Sequence, residues 1–162
     1  NINTMTFFGC QATGSAQTWK NYVQVLMTKI VTAVLGYSPG KKAGRPHNES
    51  YFFMKQWFGW TLSKKFVGAN GFDYTAKMPL IRNPILSLAG AGDKLIAPKS
   101  GCEDYLNAFK NEQNRFLYCG KHSGFKEDYN HSRLLHSRNA SKEIYPIVLD
   151  WIQSNGSLFS FR

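Results

Sequence analysis

Acidic side chains are scarce in this sequence and cysteine is scarcer: ten Asp and Glu stand against twenty Lys and Arg, with three cysteines in 162 residues. Cys10, Cys102 and Cys119 lie far apart, form no CxxC pair and leave an odd total. That argues against a disulfide framework or a zinc-finger set and favours a reducing compartment such as the cytoplasm. No uncharged apolar run reaches the roughly 18 residues of a membrane span, and the first residues, from Asn1, do not read as a signal peptide. Membrane association is therefore not indicated. Three N-x-Ser tripeptides, at Asn48, Asn139 and Asn155, have no secretory signal to support them and read as accidental.

What is present is the composition of a folded domain. With 43% hydrophobic, 15% aromatic and only 19% charged residues, the chain can bury a core, and its length suits one domain rather than two. The net charge of +10 invites a nucleic-acid reading, but its distribution argues otherwise. Residues 1–65 carry eight basic side chains and one acid, Glu49, whereas residues 66–162 carry twelve and nine. The densest stretch, Lys41, Lys42 and Arg45, sits in a Gly/Pro loop, and no more than two basic residues ever run together. A surface that tracks phosphates needs a stripe of them, so no nucleic-acid partner is expected.

Hydrophobic periodicity predicts alternating strands and helices. Residues 2–9 read as a short strand with apolar side chains on both faces, a pattern of central strands whose neighbours flank them. Trp19, Tyr22, Val23, Leu26, Ile30 and Val34 recur at helical spacing over 17–35, with Gly36 as the stop. Residues 51–66 form a second helix crowded with Tyr51, Phe52, Phe53, Met54, Trp57, Phe58 and Trp60, either a helix–helix core or a lid lining an apolar pocket. Residues 85–88 read as a buried strand running into the Gly-rich turn 89–93 and Asp93. A helix over 101–110, a strand over 115–119, a loop carrying His131 and a closing helix over 141–152 follow. Ser141 is the candidate N-cap of that last helix, and Pro146 is expected to interrupt it. The class is α/β with a mainly parallel sheet, in which ligands bind beyond the carboxyl ends of the strands.

Asp93 after one strand and His131 after the next suit a carboxylate–imidazole pair, in which the acid holds one tautomer and stabilises the protonated ring. His122, closer to the last strand, is the alternative base, and Glu127 or Asp128 could replace Asp93 as the partner. His136 and His47 have no ligand set around them, so no metal site is proposed. Cys119 reads as a small core residue, and the AGAG of 89–92 lacks the length of a dinucleotide-binding loop. No cofactor is expected.

The segments NPILSLAGAGDKLIAP, RFLYCGKHSGFKEDYNH and SRNASKEIYPIVLDWI resemble the C-terminal half of an α/β-hydrolase. The resemblance implies a partial α/β-hydrolase fold with 79–162 as the C-terminal core and 16–72 as a helical cap. It makes Asp93 the triad acid and His131 the general base, in the family's chain order of Ser, acid, His. The implied activity is hydrolysis of an ester or acyl bond in a small molecule with a hydrophobic part. No G-x-S-x-G occurs: Gly14-Ser15 and Ser123-Gly124 each supply half. The expectation is therefore a C-terminal portion of a longer serine hydrolase, inactive by itself and prone to associate through an open sheet edge. The alternative is a degenerate, non-catalytic binding or interaction module.

Overall fold

The computed structural model describes residues 2–43 and 47–156. Arg45, in the basic loop, and Ser157, which completes the third N-x-Ser tripeptide, lie outside the described residues. In chain order the elements are β1 (Met5–Phe8), α1 (Trp19–Leu35), β2 (Tyr37–Ser38), β3 (Glu49–Ser50), α2 (Tyr51–Ser63), α3 (Tyr74–Lys77), β4 (Ile85–Gly90), α4 (Lys99–Asn107), β5 (Arg115–Cys119), α5 (Arg133–His136) and α6 (Arg138–Gly156). Strands β1, β4 and β5 make one parallel sheet in that spatial order, with Met5 opposite Ile85 and Leu86 opposite Arg115. The architecture is mixed α/β, a three-stranded parallel sheet with flanking helices.

All six residues of β4 are buried, because the central strand is covered on both faces. Strand alternation sends Leu86 and Leu88 toward Leu134, Ala140 and Ile144 of α5 and α6, with Tyr129 between them. Ile85 and Ala89 face the other way, onto Leu106 and Phe109 and onto Cys102. Each large aliphatic residue so buried contributes about 1.5–3 kcal/mol of transfer free energy. The described sheet has β1 at its edge, where all four residues are half-buried.

Capping explains most helix boundaries. Thr18 and Ser50 accept backbone bonds from Asn21 and Phe53 at the starts of α1 and α2, and Gly36 ends α1 in the left-handed region at φ +74°. Helix α6 differs from expectation at both points that the sequence raised. It starts at Arg138 with Ser137 as its cap, whose hydroxyl accepts from Ala140 N–H at 3.0 Å, and Ser141 lies inside it. Pro146 does not break it, because the exposed ring sits on the solvent face, where water can serve the carbonyl one turn back.

The largest departure is α1. Its predicted core face points outward: Trp19 is 81% exposed and Val34 80%, while the buried positions are Val25 and Thr32. Helices α1 and α2 pack against each other and against the Gly14–Ala16 turn through Ala16, Val25, Met54 and Phe58. The aromatic cluster of α2 divides accordingly. Phe58 is core, Trp57 packs beside it, Trp60 donates its indole N–H to the Val67 carbonyl at 2.7 Å, and Phe52 and Phe53 face solvent.

Candidate functional site

The carboxyl ends of the three strands converge on Asp93 and His131. After β4 the chain turns sharply, with Asp93 N–H donating to the Gly90 carbonyl at 3.0 Å and Ala91 N–H to the Cys119 carbonyl at 2.9 Å. The backbone of the His131 loop lies directly on this turn, and Gly92 N–H bonds to the Tyr129 carbonyl at 2.8 Å. A Cβ at Gly90 would come within 2.1 Å of the Tyr129 oxygen, and one at Gly92 within 2.7 Å of the Asp128 oxygen. The AGAG run is thus a packing surface for the histidine loop.

Asp93 presents its two oxygens to different partners. Oδ1 accepts from Ile96 N–H at 3.0 Å, and Oδ2 lies 2.9 Å from His131 Nδ1. Burial pushes the Asp93 carboxyl up, but the bonds from His131 and from Ala97 N–H, the imidazole charge and the Ile96 N–H outweigh it and hold it below its ordinary value. An ionised Oδ2 needs a donor, so the imidazole carries its hydrogen on Nδ1 and leaves Nε2 as the free nitrogen. The Asp93 side chain is only 4% exposed whereas that of His131 is 42% exposed, which puts the acid behind the base. Gly9, at the end of β1, closes the third side: a Cβ there would lie 2.9 Å from His131 Nδ1.

The loop carrying His131 is held by contacts that sequence reading missed. Tyr129 is fully buried, and its hydroxyl donates to Glu143 Oε2 on α6 at 2.7 Å. Burial and the adjacent Glu143 carboxylate push that phenol well above its ordinary value. Glu127 accepts from Arg133 Nε at 2.6 Å and from Asn139 Nδ2 at 3.1 Å, and Asn130 Oδ1 caps α5 through Arg133 N–H. Such pairs join positions up to 14 residues apart, and no local pattern announces them.

The same contacts dispose of the alternative acids. Glu127 serves Arg133, and Asp128 Oδ1 accepts from Lys121 N–H at 2.9 Å, so neither is paired with His131. His122 stands apart, its ring 4.9 Å from that of Tyr118 in a shallow cleft with Lys94, Lys121 and Asp128. His136 and His47 are exposed. Burial pushes the Cys102 and Cys119 thiols up to about 12 and raises that of Cys10, so all three stay protonated and poor as nucleophiles. Ser15, half of a nucleophile motif, is fully buried and donates to the Ile96 carbonyl at 2.7 Å. Among the described residues no hydroxyl or thiol is hydrogen-bonded to His131, and no group of three or more His, Cys, Asp or Glu is placed to hold a metal ion.

The arrangement can take up a proton at Nε2 and spread the resulting charge onto a buried carboxylate. No protein-family model, curated protein or solved structure matches this chain.

Proposed function

We propose that the chain is the acid-and-base portion of a serine hydrolase of the α/β-hydrolase type, with the nucleophilic serine supplied by a segment outside these 162 residues. The observation that carries this reading is the 2.9 Å pairing of buried Asp93 with half-exposed His131 at the carboxyl end of a parallel sheet. In this reading α1 and α2 form a cap over the site, and β1 pairs on its outer edge with a strand from the serine-bearing segment.

The chemistry follows from the two nitrogens. His131 Nε2 takes the serine hydroxyl proton as the serine oxygen bonds to the acyl carbon of an ester, and Asp93 stabilises the imidazolium through Nδ1–H. Nε2–H then protonates the departing alkoxide as the C–O bond breaks. Water attacks the acyl-serine with Nε2 again as base, releasing the acid and restoring the serine. Backbone N–H groups of the serine-bearing segment bind the oxyanion.

The test compares the chain alone with a product extended through the coding sequence ahead of Asn1. The extended protein should react with a fluorophosphonate and turn over p-nitrophenyl esters, and His131→Ala in it should lower kcat by about 10⁶-fold. Turnover that survives His131→Ala near its original rate refutes the role. A second reading, a non-catalytic binding module, is favoured by the free Nε2 among the described residues. It predicts that neither product labels.

A further inference from the structure

We propose that the α1–α2 hairpin is a docking surface for anionic lipid bilayers, independent of whether Asp93 and His131 are catalytic. On α1, Trp19, Val23, Met27, Ile30 and Val34 fall within an arc of about 80° at helical spacing. That arc lies opposite Val25 and Thr32, the residues buried against the rest of the fold. A helix normally turns its apolar stripe inward; here Trp19, Met27, Ile30 and Val34 of the stripe are exposed and Val23 is half-buried. Pairing of β2 with β3 brings the end of α1 to the start of α2, where Phe52 (81% exposed) and Phe53 (60% exposed) add two more solvent-facing aromatic side chains.

Charge selects the occupant. Lys20 borders the stripe, Lys29 is exposed farther round α1, exposed Lys41 and Lys42 follow the helix, and exposed Lys55 lies one turn beyond Phe52 on α2. Residues 17–65 hold eight basic side chains and one acid. An apolar stripe in a segment rich in lysine and almost free of carboxylates has the composition of a helix that lies in the headgroup layer of an anionic membrane. A second copy of the chain fits less well, since stacking two such faces sets like charges against each other. Nucleic acid fits less well too, because apolar side chains separate the cations. No described helix is long and apolar enough to cross a bilayer, and the surface is suited to lying on one.

Co-sedimentation of the 162-residue chain with vesicles tests this directly, with no ester turnover involved, so its failure leaves the hydrolase reading untouched. Vesicles of phosphatidylcholine with about one third phosphatidylglycerol should bind the chain at least about tenfold more tightly than phosphatidylcholine alone, and added salt should weaken binding. The double variant Val34→Ser/Phe52→Ser, at positions exposed by 80% and 81%, should lose most of that binding while keeping the wild-type circular dichroism. If that variant fails to fold, Lys41→Gln/Lys42→Gln takes its place and must reduce the preference for the anionic vesicles. No binding, or equal binding to both vesicles, overturns the proposal. Binding that survives Val34→Ser/Phe52→Ser in a folded variant overturns it as well, since bare electrostatic adsorption then suffices. A dimer that dissolves in the same variant, without vesicle binding, assigns the face to a second copy instead.

Discussion

Replacing Gly90 by Ala should be far more damaging than one methyl group suggests. The new Cβ would stand 2.1 Å from the Tyr129 carbonyl oxygen and 2.8 Å from its carbon, distances that real Cβ atoms essentially never show below 3.0 Å. Both obstacles are backbone, so relief requires the histidine loop to retreat by about 1 Å or the end of β4 to move. Retreat breaks the bond from Gly92 N–H to the carbonyl of buried Tyr129, at about 1–3 kcal/mol. Repacking around the displaced Tyr129 adds about 1–3 kcal/mol. A total of about 2–6 kcal/mol is a large part of the 5–15 kcal/mol that a domain of ordinary stability possesses. Urea unfolding measures it, with Gly59→Ala as the comparison. Gly59 lies inside α2 with nothing within 4 Å of a Cβ, so its replacement should stabilise by about 0.5–1 kcal/mol. If Gly90→Ala unfolds within about 0.5 kcal/mol of wild type, the loop does not rest on the turn as described, and the account of how His131 is placed fails.

Asp93 has its carboxyl depressed in the folded chain, so its contribution is fully present above the unfolded value near about 3.9 and is lost as pH falls through the folded value. The stability gap between wild type and Asp93→Asn, read from urea midpoints, should therefore be widest near neutrality and narrow below about pH 4; a gap that is flat with pH contradicts the ionised pairing. Tyr129→Phe removes a bond to a carboxylate and should cost about 1.5–3 kcal/mol, measured by the same unfolding assay. Cys102 and Cys119, fully buried with thiols near about 12, should resist Ellman's reagent at mildly alkaline pH until denaturant is added. Rapid native labelling of both would mean that the core around β4 and β5 opens readily.

Local signals carried the centre of the fold. The run 85–88 bounded by Pro84 and glycines, and the run 115–119 closed by Gly120, are compact apolar segments with clear punctuation, and both are strands. Asp93 and His131 were legible because each follows such a strand, and the order of strands brings their ends together. Periodicity located α1 but gave no orientation, because a stripe looks the same whether protein or something else covers it. Helix α4 was expected from residue 101 yet begins at Lys99 and runs through Gly101. The reason is tertiary: a Cβ at Gly14 would fall 2.2 Å from Gly101 Cα, and this close crossing outweighs the roughly 1 kcal/mol that an internal helical glycine costs. The loop pins at Glu127, Tyr129 and Glu143 were hidden for a related cause, since each depends on a partner that only the folded chain brings near.

The two strand pairings of the sheet differ in how much chain they must close. Leu86 meets Arg115 across 29 residues, whereas Met5 meets Ile85 across 80. Closure entropy grows only with the logarithm of loop length, so the longer span costs about 0.9 kcal/mol more, and doubling it again would add only about 0.6 kcal/mol. The acid and the base both belong to the short-range unit, which can assemble before β1 arrives. The segment between β1 and β4 is consequently the part of the molecule freest to change in length and in character. A lineage could refit what this segment touches while the Asp93–His131 pair stays as it is.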